Sequence, residues 1–417
     1  MTQTTNDILS IEGLLVIGSH FARGRLEIDT ATGTIVHVGP ETGQADKVFD
    51  QELIFPGFID LHVHAREDAS HTQEYKEDFL SASDAAINGG VVAFLDMPNN
   101  PVPPVDEATY AEKSALTKKS PLTILLYAGI GKDTSPLSEK VPYKVFMGKS
   151  IGDMFFTTRE DLEETLARYA GCSVSFHCED PKIMDEHKDA PTHEQRRPAH
   201  AEVSAVDTAL YLIEKYHLHG KICHTSTIEG VQKIQLAKVR GVDVSIEVTP
   251  HHLYFDETML TEESRTGFQV NPPIRQTREN RLALIQALKD GVIDYLATDH
   301  APHTQEEKAA GMSGLTHLDT YGAFCTWLIQ EHGVPPTTVA RVASENPGIF
   351  LNTFSKERYG KIEPGYIGSL AVVDTHKPTL VDPTKLKTKC GWSPFLGVTF
   401  PGDVVLTIIK GKIYEKK

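Results

Sequence analysis

Two histidines separated by one residue, His62 and His64, end a short apolar stretch that starts at Phe58. Side chains at positions i and i+2 of a β-strand point to the same side, so both imidazoles can reach one metal ion at the end of the strand. Neutral imidazole is a common ligand of Zn²⁺. An isolated pair of this kind is equally compatible with two structural histidines in a turn. A metal site therefore requires further ligand-type residues elsewhere in the chain.

Such residues do follow at the ends of later apolar runs. His177, His224 and Asp299 each end one of these runs, and Lys144 lies within another. A catalytic zinc ion needs three protein ligands and an open position, so this set has more donors than one ion requires. Two metal ions that share a bridging group fit the number better.

Eight short apolar runs alternate with amphipathic, helix-like stretches in the middle of the chain. The runs cover residues 58–63, 91–97, 123–130, 143–147, 173–178, 221–224, 242–248 and 293–298. The predicted helices cover residues 74–88, 161–170, 199–217, 227–240 and 278–289, whereas residues 131–142 are too poor in apolar residues for a helix. This alternation predicts an α/β fold, a (β/α)₈ barrel whose chemistry lies at the carboxyl ends of the strands.

Both ends of the chain have a different pattern, with strand-like segments and glycine-rich turns. These segments are residues 14–17, 25–28, 34–38, 369–373, 404–409 and 412–414. Neither end alone has enough strands for a stable sheet. We therefore expect residues 1–54 and 360–417 to form one small β-sandwich domain beside a barrel domain of residues 55–359.

The composition indicates a globular protein and argues against nucleic acid and anionic membranes as partners. The chain has 417 residues, 40% of them hydrophobic and 24% charged, and its net charge is −16. A chain this acidic, without a long basic cluster, is not expected to bind nucleic acid or an anionic membrane. Five cysteines without a C-x-x-C pair, and no signal-peptide pattern at the start, predict reduced thiols and a cytoplasmic protein.

Nine stretches, in this order and spacing, resemble the amidohydrolase superfamily and, within it, the dihydroorotases. They are PGFIDLHVHARE (56–67), KEDF (76–79), DMPN (96–99), YKVF (143–146), HCE (177–179), CHTS (223–226), EVTPHHL (247–253), VNPP (270–273) and TDHAPH (298–303). The resemblance covers nearly the whole chain. It implies a cyclic amide hydrolase that takes a small-molecule substrate.

The resemblance also implies a binuclear zinc site with two Zn²⁺ per chain. His62, His64 and Asp299 would bind one ion, His177 and His224 the other, and a carboxylated Lys144 would bridge them. Asp299 would also be the catalytic residue that carries the proton. Lys149 is a rival for the bridging role, but it follows Gly148 in a loop and is interpreted as a solvated cation.

Arg66 distinguishes the dihydroorotases from their relatives. A guanidinium binds a carboxylate through two hydrogen bonds, and dihydroorotate has a ring carboxylate that dihydrouracil lacks. The resemblance implies that Arg66, Asn99 and His303 bind this carboxylate and that Asn271 contacts the ring. His251, His252 and His300 are expected to support packing around the site.

Three departures from the family pattern concern the mouth of the site. Residues 68–70 are Asp-Ala-Ser where Pro-Gly is common, Asn100 replaces a threonine, and the loop 311–316 lacks an acidic residue. The expected activity is a zinc-dependent, reversible interconversion of N-carbamoyl-L-aspartate and L-dihydroorotate in pyrimidine biosynthesis. The alternatives are an allantoinase or hydantoinase, and a non-catalytic partner of aspartate transcarbamoylase. A homodimer and an association with aspartate transcarbamoylase are both compatible with the resemblance.

Overall fold

The computed structural model describes residues 8–149, 154–275 and 277–416. Its strands are β1 (Ile8–Ile17), β2 (His20–Asp29), β3 (Thr34–Gly39), β4 (Lys47–Pro56), β5 (Phe58–Val63), β6 (Val91–Asp96), β7 (Thr123–Leu126), β8 (Ala128–Ile130), β9 (Tyr143–Phe146), β10 (Ser173–His177), β11 (His219–Ile222), β12 (Val244–Val248), β13 (Tyr295–Leu296), β14 (Leu370–Asp374), β15 (Thr379–Leu380), β16 (Thr399–Phe400), β17 (Asp403–Ile409) and β18 (Lys412–Glu415). Its α-helices are α1 (Phe79–Asn88), α2 (Glu107–Thr117), α3 (Arg159–Ala167), α4 (Pro181–Glu186), α5 (His193–Arg196), α6 (Ala199–Tyr216), α7 (Ile228–Val239), α8 (Pro250–Tyr254), α9 (Glu262–Arg265), α10 (Arg278–Lys289), α11 (Gln305–Ala309), α12 (Tyr321–Gln330), α13 (Pro336–Ala340) and α14 (Asn346–Asn352).

Strands β5 to β13 form a parallel barrel in which neighbours along the chain are neighbours in space. β7 and β8 are one barrel strand interrupted at Tyr127, whose N–H donates to the carbonyl of Asp96. The barrel closes where Val63 pairs in parallel with His300, just after β13. All residues of β5 and β6 are buried, because helices cover the outer face and side chains fill the interior. The predicted (β/α)₈ barrel is confirmed.

All five predicted helices are present, and four of them match the predicted bounds to within three residues, whereas the shorter helices and α2 and α12 were not predicted. The predicted helix 74–88 begins only at Phe79, because the Asp78 carboxylate caps it by accepting hydrogen bonds from the N–H groups of Leu80 and Ser81. Helix α2 was not predicted, since its sequence has no apolar stripe. Its one buried side chain is Lys113. Residues 131–142 contain no helix, as predicted.

Both termini build one sheet beside the barrel, with the strand order β18-β17-β14-β4-β1-β2-β3. β4, which the sequence did not predict, joins the two halves: it pairs in parallel with β1 and antiparallel with β14. Gly57 connects β4 to the barrel strand β5, and a Cβ there would lie 2.3 Å from Val92 Cγ1. The sheet has its own core, formed by Ile11, Leu15, Leu26, Ile28, Ile35, Ile54, Ile362, Leu370, Val372, Leu406 and Ile408. Strands from the two termini thus lie together in one seven-stranded sheet, whereas the division into two domains at residues 54 and 360 stays a prediction.

None of the helices in the described ranges is long and apolar enough to span a bilayer.

Candidate metal centre and substrate pocket

The ligand candidates meet at the carboxyl ends of the barrel strands, where parallel strands bring distant residues together. His62 lies in β5, Lys144 lies in β9 and His177 ends β10. His64, His224 and Asp299 follow their strands by one to three residues. The side chains are buried, with relative exposures of 1% for His62, 2% for His177 and 7% for Asp299. The centroids of the four imidazole rings are 4.7–5.4 Å apart in the order His64, His62, His224, His177.

His62, His64 and Asp299 form the first group. Nε2 of His64 lies 3.1 Å, and Nε2 of His62 3.2 Å, from the same Asp299 oxygen, Oδ1. Donor atoms of the three residues all lie within 4.8 Å of one another. Two imidazole nitrogens and a carboxylate oxygen at this spacing are a donor set suited to Zn²⁺.

His177 and His224 form the second group, with Nδ1 of His177 2.9 Å from Nε2 of His224. Lys144 in β9 is completely buried, and its Nζ has no hydrogen-bond partner in the part of the chain that the structure describes. A buried amine in this state is costly unless another group compensates it. Lys149, by contrast, is exposed to solvent. The structure therefore places Lys144, not Lys149, among the buried candidates.

The histidines are held in the neutral form that binds metals. Burial lowers the pKa of His62, His64 and His224 well below the usual range. Nearby positive charge adds to this effect, since Lys144 faces His62 and Arg66 faces His64. Burial also raises the pKa of Asp299 to about 7, although Lys144 opposes that shift.

Two buried glutamates fix the orientation of one histidine in each group. Nδ1 of His62 donates to Oε1 of Glu247 at 2.7 Å, which leaves Nε2 facing Asp299. Nε2 of His177 donates to Oε2 of Glu179 at 2.8 Å, which leaves Nδ1 facing His224. Such carboxylate partners fix the tautomer and the ring orientation of a metal-binding histidine.

Each of these glutamates is itself paired with a cation. Glu247 binds the buried Lys221, and Glu179 binds Arg197. No role was predicted from the sequence for the four residues of these two pairs. The position of Glu179 in the sequence could have indicated its role, because it lies two residues beyond His177 at the end of a strand. The two cations come from other parts of the chain, and no local pattern indicates them.

The substrate candidates lie around the same cavity. Its lining consists of His62, His64, Arg66, Asn99, Phe146, His177, His224, Asn271, Asp299, Ala301, Ser313 and Gly314. Arg66 is only 2% exposed, and its Nε donates to the carbonyl of Pro302 at 3.2 Å. Oδ1 of Asn271 is buried and has no hydrogen-bond partner among the described residues. It is therefore an available acceptor for a ligand N–H.

The position of His303 differs from the expected one, because this residue does not line the cavity. It stands behind Arg66, whose Nη2 donates to His303 Nε2 at 3.2 Å. Burial and the neighbouring cations Arg66 and Lys76 lower the pKa of His303, so it accepts this bond as a neutral ring. In this structure it positions the guanidinium.

Of the remaining histidines of the matched stretches, His251 lies with Nδ1 3.0 Å from Nε2 of His317, while the other two contact a backbone or a carboxylate group. Nε2 of His252 donates to the carbonyl of Pro272 at 3.0 Å, and Nε2 of His300 lies 3.3 Å from Glu77. The unusual loop 311–316 contributes Ser313 and Gly314 to the lining. Lys308 holds this loop by donating to the carbonyls of Gln269 and Met312.

Known proteins resemble this chain in sequence and in fold. The model of the amidohydrolase family matches residues 53–414. A dihydroorotase from Thermococcus kodakarensis is 31% identical over 410 residues, which cover 97% of this chain and 94% of that protein. A dihydroorotase from Pyrococcus horikoshii is 32% identical, and the match covers 88% of this chain and 82% of that protein. The structure of the L-hydantoinase from Arthrobacter aurescens superimposes with a TM-score of 0.88 at 23% identity, covering 98% of this chain and 96% of that one.

The barrel and its catalytic-type residues define an enzyme, and the expected class of cyclic amide hydrolase is confirmed by these matches. The chain belongs to the amidohydrolase family. The similarity to the hydantoinase, at 23% sequence identity, supports the fold but not the activity.

Proposed function

We propose that this protein is a zinc-dependent dihydroorotase that interconverts N-carbamoyl-L-aspartate and L-dihydroorotate in pyrimidine biosynthesis. The observation that carries the proposal is Arg66, a buried guanidinium in the cavity beside His64 and Asn99. A buried cation needs an anionic partner, and the planar guanidinium matches a carboxylate. The ring of dihydroorotate has such a carboxylate, whereas hydantoin and dihydrouracil do not. Relatives named dihydroorotase at about 30% identity support the assignment.

The donor set fits a pair of zinc ions. His62, His64 and Asp299 would hold one ion, and His177 and His224 the other. Lys144 would bridge them as a carbamate, which would give its buried, unpartnered nitrogen a role. Bound zinc polarises a carbonyl group and lowers the pKa of water towards neutrality.

The chain's own residues then perform the remaining tasks. Asp299 takes the proton of the attacking water and passes it to the leaving ring nitrogen, and the reverse path forms the ring. Arg66, held by His303, orients the carboxylate, and Asn99 and Asn271 hold the rest of the substrate. The glutamates behind His62 and His177 keep the imidazoles in one orientation through the cycle.

One assay tests the proposal and its alternatives. Purified protein is given dihydroorotate, dihydrouracil, hydantoin and allantoin, and zinc is measured in the same sample. We expect turnover of dihydroorotate and close to two zinc ions per chain. If the protein prefers an uncharged ring, the dihydroorotase assignment is wrong and the activity is of the hydantoinase type. Absence of turnover with all four rings would instead favour a non-catalytic partner of aspartate transcarbamoylase.

A further inference from the structure

Helix α2 has one buried side chain, and that side chain is a lysine. Lys113 is 1% exposed, while the other residues of α2 are half-buried or exposed. Lysine is almost never fully buried unless it is paired. The partners of Lys113 therefore show what this helix holds in place.

The ammonium group of Lys113 forms one ion pair and donates two hydrogen bonds. Nζ lies 2.6 Å from Oδ2 of Asp96, and it donates to the carbonyl of Met97 at 3.3 Å and to Oδ1 of Asn100. Met97 and Asn100 lie on either side of Asn99, which lines the cavity. The buried cation thus holds both ends of the short segment that carries Asn99.

The same ion pair reaches Arg66 through the other oxygen of Asp96. Oδ1 of Asp96 accepts a hydrogen bond from the N–H of Ala65 at 2.7 Å. Ala65 directly precedes Arg66, whose φ of 64° lies in the left-handed region that arginine rarely adopts. A residue in this region keeps its conformation only when its surroundings hold it. Asp96 supplies one of these restraints.

We propose that Lys113 and Asn100 are positioning residues for the substrate carboxylate, an inference that rests on the proposed function. They act through two substrate arms, residues 65–66 and residues 97–100, which bring Arg66 and Asn99 to the cavity. The buried ion pair of Lys113 and Asp96 links these arms to α2. Asn100, which departs from the family pattern, supplies an amide oxygen that reaches the ammonium group.

Substitutions at Asn100 test the proposal with little risk to folding, because this side chain is partly exposed. Asn100→Leu keeps the approximate size and removes the acceptor, whereas Asn100→Asp keeps an acceptor oxygen. We expect Asn100→Leu to raise KM for dihydroorotate about fivefold, the effect of one ordinary hydrogen bond, with kcat within about twofold. Asn100→Asp is expected to have a KM close to that of the wild type.

A matched control separates positioning from general stability. Asn352 also bridges backbone with its amide, donating to the carbonyl of Tyr359 and accepting from its N–H, but it lies in α14, outside the cavity lining. Asn352→Leu should lower the melting temperature and leave KM unchanged. The double variant Lys113→Met with Asp96→Asn avoids an unpaired buried charge, and we expect it to raise KM more than Asn100→Leu does.

Three results would overturn the proposal. In the first, Asn100→Leu lowers the melting temperature but leaves KM at the wild-type value. In the second, it loses zinc and kcat together, which would mean that it acts on the metal centre. In the third, Asn100→Asp is folded but has a KM as high as that of Asn100→Leu. A wild-type protein without dihydroorotase activity would refute the proposed function itself, a result that is distinct from any difference among the variants.

Discussion

Replacement of Glu179 by glutamine tests whether the buried glutamates control metal binding. Glu179 is completely buried between Nε2 of His177, 2.8 Å away, and the guanidinium of Arg197. Glutamine keeps the shape but replaces the charged acceptor by a neutral amide. A hydrogen bond to a charged group contributes about 1.5–3 kcal/mol, which corresponds to about 10- to 100-fold in an equilibrium constant. We therefore expect the affinity for zinc to fall by about 10- to 100-fold.

The assay is competition with a chromophoric chelator, followed by kcat measured at saturating zinc. Only one of the two proposed ions binds His177, so we expect half of the zinc to be lost first and most of the activity to return when zinc is added. Asp319→Asn is the control, because Asp319 is a buried carboxylate that accepts hydrogen bonds from Asn88 and from the N–H groups of Lys387 and Thr388, away from the metal ligands. It should change stability but not zinc affinity. Zinc affinity within twofold of the wild type in Glu179→Gln would refute the reasoning.

Three further predictions concern the bridge, the substrate and the pH. Lys144→Ala should abolish activity and weaken zinc binding, while Lys149→Ala should retain both; the opposite pattern in the same assay would exchange their roles. Arg66→Lys should lower kcat/KM for dihydroorotate about 100-fold, because the ammonium loses the two-pronged contact; an effect below threefold would contradict this. Burial, and to a lesser extent Arg275, lowers the pKa of His252 to about 3, so its stabilisation is present above pH 6.5 and is lost as the pH falls from 6.5 towards 3. As the pH falls through 5, the free energy of urea unfolding of the wild type should therefore decrease by about 1.4 kcal/mol per pH unit more than that of His252→Gln.

The part of the site that the sequence predicts is the part that strand geometry determines. A histidine at the end of an apolar strand of a barrel points to the common mouth, so His62, His177 and His224 could be placed without coordinates. The same reasoning separates Lys144, within a strand, from Lys149, in a loop. The barrel itself follows from the alternation of apolar runs and amphipathic stretches, because that period depends only on neighbouring residues.

The missed features depend on contacts between distant residues. Lys221 and Glu247 meet across adjacent strands, and Lys113 reaches Asp96 from a helix with no apolar stripe. A charged residue in a polar stretch is normally exposed, so the sequence predicts a surface position for such a lysine. Strand β4 was missed for a similar reason. Its first half is largely exposed and has no apolar pattern, and it forms a strand because it pairs with β1, which lies more than 30 residues earlier in the chain.

In the proposed metal centre, the charges of the surrounding residues would link zinc binding to the state of Lys144. The pairs Glu247–Lys221 and Glu179–Arg197 are each neutral overall, so they orient histidines without adding net negative charge to attract cations. Among the proposed ligands, Asp299 supplies the one carboxyl group, and burial raises its pKa to about 7, so it is only partly ionised near neutral pH. As an ammonium, Lys144 would repel the ions, whereas a carbamate on the same nitrogen is an anion, a change of two charge units inside a buried site where charges interact strongly. Carboxylation and metal binding should therefore stabilise one another, and zinc loading of the protein should depend on dissolved CO₂ as well as on the zinc concentration.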